Sequence, residues 1–288
     1  MVGFGKKLSS VTRLRQDEQV PEGDTVWNTA RLLQDRLGSR RLTATDFRTP
    51  RLATTDLTGA QVRQAVSRGK HLLLRLLTAD GQRHLTLHSH LRMDGAWGVY
   101  SPGQRWAARP AHEIRVVLRT ADAVAVGYHL HDLVLIRTDE EEPLLRHLGP
   151  DPLGPDWNPA EALRRLTARP DRAVAEALLD QTVLAGIGNV YKSELLFLRG
   201  VWPWTPVRAV PNPAGLVELA HRLLLANRGR RHRTTTGVLR RADRYHVYDR
   251  ADQPCRRCGT AIRRSQRDER VTYWCPRCQP APDPELAG

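Results

Sequence analysis

After Pro21 the apolar positions Val26, Ala30, Leu33 and Leu37 fall at i, i+4, i+7 and i+11, the stripe of one helix face. Glu22 and Asp24 put acids at the start of this helix, where its dipole favours them, and Gly38 stops it. From about 42 to 137 the pattern becomes strand-like. His71–Leu77 and His84–Leu91 are apolar-rich runs around Ala79-Asp80-Gly81, a hairpin signal, and Ile114–Arg119 and Val124–Leu130 form another such pair. Short strands at this spacing predict a β-sandwich. A Pro/Gly/Asp stretch from Gly149 to Pro155 reads as an interdomain linker. Helical patterns resume over 159–168, 173–184, 189–199 and 213–227, then 228–250 is Arg-rich and irregular. No internal repeat is evident. The predicted fold class is α+β and multidomain.

Length agrees: 288 residues suggest about two domains with room for a small third. At 40% hydrophobic residues the chain buries a proper core, which excludes whole-chain disorder, and no apolar run reaches the ~18 residues of a membrane span. Lys and Arg number 45 against 31 Asp and Glu, a net charge of +14, which calls for an anionic partner such as nucleic acid or a membrane surface.

All four cysteines lie near the C-terminus with the spacing Cys255-x2-Cys258-x16-Cys275-x2-Cys278. Two CxxC knuckles suit tetrahedral Zn²⁺ with every position filled, so the expected metal is structural rather than catalytic, and the expected compartment is the reducing cytoplasm. Arg256, Arg257, Arg263, Arg264, Arg267, Arg270 and Arg277 surround the knuckles, and 228–250 holds eight Arg against two Asp. A ribbon so charged fits a hairpin that tracks phosphates, with a solvated basic face as the plainer reading.

Leu178 to Glu194 reads as helix, tight glycine turn, helix, with Gly186 and Gly188 permitting close backbone approach. Asn189 opens the second helix. Its amide and the local N–H groups suit a phosphate, and they equally suit an ordinary N-cap.

PEGDTVW at 21–27, SRGKHLLL at 67–74, HLRMDG at 90–95, LLDQTVLAGIGNVYKSELLF at 178–197 and the cysteine module occur in that order. From Pro21 to Gln279 this resembles the formamidopyrimidine-DNA glycosylase/endonuclease VIII family of base-excision repair. The resemblance implies an N-terminal β-sandwich with a leading helix, a helix–two-turn–helix domain and a zinc finger, with DNA in the cleft between. The corresponding boundaries are a basic extension 1–20, a catalytic domain 21–148, a linker 149–158, a helical domain 159–250, a zinc finger 251–279 and a tail 280–288. A monomer acting on damaged double-stranded DNA is implied, with single-stranded or bubble DNA left open, and no membrane.

The resemblance makes Pro21 the nucleophile. Its secondary amine attacks C1′ of the damaged nucleotide and forms a Schiff base, helped by the near-neutral pKa of an α-amino group. Glu22 is implied as the proton donor, against a plainer role stabilising the helix dipole. Lys70 is implied as a proton donor that contacts phosphate. Arg270 is implied to grip phosphate during elimination, Asn189 to hold the backbone, and Met93 to fill the gap left by the flipped base, where the plain reading is core filler. Arg92 and Lys192 are expected to add DNA contacts. A proline nitrogen inside an amide has no free lone pair, so residues 1–20 are expected to be absent from the working enzyme. A start codon read at Val20, followed by removal of the initiator, achieves that.

Departures refine the expectation. The region Gly127–Leu135 lacks the Arg-Arg-Phe wedge of the purine-specific branch, and the stretch from Thr236 to Cys255 is short for a capping loop. Both lean towards the endonuclease VIII branch, and that resemblance implies excision of oxidised pyrimidines and β,δ-elimination. Oxidised purines or mainly abasic sites are the alternative, and a non-catalytic damage reader is the alternative outside enzymes. Thr25 stands where the family usually has an acid, with Asp24 beside it.

Overall fold

The computed structural model describes residues 20–104, 110–267 and 270–282. The expectation that residues 1–20 form a separate extension therefore lies outside the described residues, Val20 excepted.

Helix α1 (Gly23–Leu37) buries Val26, Ala30, Leu33 and Leu37, the predicted stripe. Eight strands follow: β1 (Ala44–Phe47), β2 (Gln61–Arg68), β3 (His71–Leu77), β4 (His84–His90), β5 (Ala96–Tyr100), β6 (Ile114–Arg119), β7 (Val124–Tyr128) and β8 (Asp132–Arg137). They form two antiparallel four-stranded sheets, ordered β1-β6-β7-β5 and β2-β3-β4-β8. Leu72, Leu74, Leu76 and Leu87 of one sheet and Val116, Leu118 and Ala125 of the other join the α1 stripe in one core. Burial at that density is what fixes the register, because a one-residue slip would turn Leu72, Leu74 and Leu76 out of this core. Strand β7 ends at Tyr128, two residues before the predicted Leu130, because His129 adopts φ 47° and turns the chain.

The helical body comprises α2 (Glu141–Leu145), α3 (Pro159–Thr167), α4 (Val174–Leu179), α5 (Asn189–Arg199) and α6 (Pro213–Asn227). The helix predicted over 173–184 stops at Leu179. Asp180 Oδ1 accepts from both the backbone N and the hydroxyl of Thr182, at 2.9 and 2.7 Å, and that side-chain turn competes with the helix. A ribbon of β9 (Arg263–Ser265) and β10 (Thr272–Trp274) carries the cysteine knuckles.

The three parts are bolted together. Asp151, in the predicted linker, is buried and accepts from Gly69 N at 2.7 Å and Leu153 N at 2.8 Å. Gly149 N donates to Gln181 O and Ala185 N to Pro150 O. Gln279, also buried, donates to Val201 O at 2.8 Å and so ties the ribbon to the end of α5.

Candidate active site

Three segments converge at the start of α1. Gly23 N donates to Gly186 O at 2.8 Å, which joins the helix start to the glycine turn before α5. Gly186 sits at φ 91°, and a Cβ there would lie 3.3 Å from Gly23 Cα and 3.6 Å from Gly69 Cα. Only glycine lets these backbones approach so closely.

Glu22 is completely buried and lies at the N-termini of two helices. Its Oε2 accepts from Gly188 N at 2.8 Å and Tyr191 N at 3.3 Å, and its Oε1 from Val190 N at 2.7 Å. These are the otherwise unpaired first N–H groups of α5, where the helix dipole also favours a carboxylate. A Cβ on Gly188 would come within 2.4 Å of the Glu22 carboxyl carbon, so this glycine is the socket for the acid. The plainer role of Glu22 as a helix-terminus acid is therefore real, and it is performed on α5 as well as on α1. Asn189 is not the cap of α5. Gly188 holds that position, and Asn189 Nδ2 donates to Val271 O of the ribbon at 2.8 Å.

Sequence reasoning missed Arg233. It was one of eight arginines in an irregular stretch, expected to face phosphates, yet it is buried. Its Nη2 lies 2.5 Å from Asp24 Oδ1 and its Nε 2.8 Å from Asp24 Oδ2. It also donates to Thr25 Oγ1 at 2.9 Å and Val20 O at 3.2 Å, lies 3.8 Å from Glu22 Oε1, and stacks over the Tyr191 ring. Asp24, next to Thr25, thus supplies the charge absent at Thr25. In the sequence the only trace of this partnership is the two acids Glu22 and Asp24 close together at the start of α1; their burial, which makes a cation necessary, is a property of the fold.

Lys70 sits in the turn between β2 and β3, anchored through Gly69 by Asp151. Burial pushes its pKa below the usual lysine value. Glu22 opposes that, and Arg233 and Arg270 reinforce it. Arg270 is exposed, and its Nη1 lies 3.6 Å from Met93 Sδ, so two residues 177 apart in sequence are brought together. Met93 is 53% exposed on the loop after β4, which corrects the core-filler reading.

Two expected DNA contacts are otherwise employed. Lys192 is buried and its Nζ donates to Thr272 Oγ1 at 2.8 Å, which makes it a tie between α5 and β10 and corrects its placement on the DNA surface. Arg92 makes a two-point pair with Asp132, Nε–Oδ2 2.6 Å and Nη2–Oδ1 2.9 Å. The basic count of the C-terminal part needs the same correction. Arg250 is buried, and Arg256 bonds Tyr245 O and Ala242 O.

The cysteine sulfurs all lie within 4.8 Å of one another, with Cys258–Cys275 at 3.4 Å and Cys255–Cys278 at 3.9 Å. Thiolates around zinc at ~2.3 Å stand about 3.8 Å apart in a tetrahedron, so the four residues fit one structural zinc ion.

A sandwich, a helical hairpin and a four-cysteine ribbon meeting at a buried acid define a class of three-part DNA-repair protein. Family models match in the same order: the formamidopyrimidine-DNA glycosylase N-terminal domain over 20–132, its H2TH domain over 148–241, and a zinc finger found in FPG and IleRS over 252–281. The chain belongs to the formamidopyrimidine-DNA glycosylase/endonuclease VIII family. It is 57% identical over 275 residues to the probable endonuclease 8 2 of Streptomyces coelicolor, covering 93% of this chain and 97% of that one. It is 48% identical to the DNA-(apurinic or apyrimidinic site) lyase Nei2 of Mycolicibacterium smegmatis, covering 91% and 100%. Among solved structures, the Lactococcus lactis Fpg in complex with abasic-site DNA is similar at a TM-score of 0.74 and 25% identity, covering 90% and 100%.

Proposed function

We propose that this chain, a DNA glycosylase and AP lyase of base-excision repair, acts through the amine of Pro21 on oxidised pyrimidines and abasic sites. The observation that carries the reading is the buried Pro21–Glu22 pair at the junction of sandwich, glycine turn and ribbon, with Lys70 and Arg270 around it.

The amine lone pair forms a bond to C1′ as the C1′–base bond breaks. The base departs with the electron pair of that bond and takes a proton from solvent, while the N–H proton of Pro21 passes through the Glu22 carboxylate to the sugar ring oxygen, so that opening of the ring leaves an iminium between Pro21 and C1′. Glu22 is held rigidly by three backbone N–H groups, so its position is fixed before DNA arrives. Lys70 and Arg270 take the flanking phosphates, and Arg270 steers the leaving phosphate during β- and then δ-elimination. Met93 enters the stack where the base has left. The chemistry requires Pro21 to be N-terminal. The family match begins at residue 20, which supports a working form lacking the first twenty residues, and 91% of this chain covers the whole of the M. smegmatis relative. The name of that relative favours abasic sites as a principal substrate.

The test is borohydride trapping on abasic-site and thymine-glycol duplexes, with chains starting at residue 20 (Val20→Met) and at residue 1. A covalent adduct with the short form, lost in Pro21→Gly, is expected. An adduct with the long form, shown untrimmed by intact mass, would mean that another amine is the nucleophile.

A further inference from the structure

The turn between β7 and β8 and the loop after β4 bring three donors together. Asp94 Oδ2 lies 3.4 Å from His131 Nε2 and 3.7 Å from His129 Nδ1. One atom from each residue lies within 4.8 Å of the other two. We propose that Asp94, His129 and His131 form a second cation site, which takes a divalent first-row transition ion of the zinc type and links the Met93 loop to the β7–β8 turn.

The donor chemistry selects the ion. Two imidazoles and one carboxylate suit zinc and its neighbours, whereas magnesium and calcium prefer oxygen alone. Donors about 2.0–2.1 Å from a tetrahedral ion stand about 3.3 Å apart, so the observed spacing needs only small side-chain rotations to close on one. Three ligands leave a fourth place for water or an anion oxygen.

A second, independent observation is the far side of His129. Its Nε2 lies 3.1 Å from Glu113 Oε2, while Nδ1 faces Asp94. A carboxylate holding one ring nitrogen orients the other toward a metal and makes it a better ligand. The backbone is also committed. His129 sits at φ 47°, uncommon for a residue with a side chain, with its N–H on Glu113 O at 2.8 Å and the His131 N–H on His129 O at 2.9 Å. The Arg92–Asp132 pair clamps the same two segments next door. The site does not depend on Met93 entering DNA or on Pro21 acting as nucleophile.

The test is calorimetric titration with Zn²⁺ of the full chain, its four-cysteine site already loaded, at pH 7.5. One further ion per chain is expected to bind. Asp94→Asn and His131→Ala, both at exposed positions, are expected to abolish that equivalent while leaving thermal unfolding unchanged. Glu113→Gln is expected to weaken it about 10- to 100-fold. A Co²⁺ titration should give the visible absorption of a nitrogen- and oxygen-ligated ion, without the near-ultraviolet charge-transfer band of thiolate ligation. A titration with no further equivalent, or one undiminished in D94N and H131A, overturns the proposal.

Discussion

Arg233 grips both carboxylate oxygens of Asp24 across 209 residues of sequence, at 2.8 and 2.5 Å, with both side chains buried. The pair closes the C-terminal half of the chain over the start of α1. Its value lies in what its loss would leave behind: Asp24 buried without its partner and Glu22 without its nearest cation. Arg233→Met is expected to destabilise the protein by about 3–5 kcal/mol, read from urea unfolding. It should also lower borohydride trapping in the fraction that remains folded. Unfolding indistinguishable from wild type would show that the pair carries no net weight.

Gly188→Ala tests the socket of Glu22. A methyl group there would meet the Glu22 side chain at 2.4–2.6 Å, so the acid must leave the N–H groups of α5. Trapping and strand cleavage should fall steeply. Glu22→Gln keeps the shape and removes the carboxylate proposed to carry the proton, so cleavage should fall about 10²–10⁴-fold with DNA affinity retained. If both variants cleaved at the wild-type rate, the position of Glu22 would be irrelevant to the chemistry.

A histidine cluster under the Lys70 turn predicts a pH dependence of stability. His71 Nδ1 and His88 Nε2 are 2.9 Å apart, and burial holds the two pKa values at about 3 and about 4, with His90 and His147 adding positive charge and Asp132 opposing. In the unfolded chain both rings take up protons near pH 6.5. Their contribution is therefore complete above that pH and is lost as pH falls from 6.5 toward 4, by up to about 1.4 kcal/mol per pH unit per ring. Urea midpoints at pH 7, 6 and 5 should decline less in a His71→Gln/His88→Gln variant than in wild type.

Removing zinc should melt the ribbon and leave the sandwich intact. Among the described residues the core of the ribbon is Val247, Cys255, Ile262 and Cys275 against Phe197, with Leu198, Cys258, Tyr273 and Cys278 partly buried on them, too small a core to hold without the metal. Hydrogen exchange after chelation is expected to rise across 255–279 while β2–β4 stay protected. Protection unchanged at the cysteines would mean that packing alone holds the module.

Met93→Ala separates stability from recognition. The side chain is 53% exposed, so its loss should alter stability by less than about 0.5 kcal/mol. Excision of a base from duplex DNA should nevertheless slow if Met93 has its proposed role, because the gap it would fill is made only when the base leaves. Cleavage of a pre-formed abasic site should suffer less.

The apolar stripe of α1, strands β3 and β6, and helices α5 and α6 were legible because period and turn chemistry are local. So were the zinc ligands, whose spacing alone specifies the metal. What was not legible is long-range electrostatics. Nothing near Arg233 in sequence separates it from Arg230 or Arg231, and Lys192 lies in a motif that reads as DNA-facing. The cap reading of Asn189 stayed open beside the phosphate reading because the carboxylate that occupies the N–H groups of α5, Glu22, is invisible in a local window. The turn that shortens α4 was written in Asp180-Gln-Thr182, but the apolar periodicity across it was stronger.

Because Glu22 is held by the backbone of residues 188–191 and neighboured by Arg233, the sandwich cannot finish its own reactive centre. During synthesis the first half leaves the ribosome long before its acid has a seat. The seat of Glu22 is complete only when translation has passed the glycine turn and Arg233. A prematurely terminated product would carry Pro21, the proposed nucleophile, without the seat on which Glu22 is held.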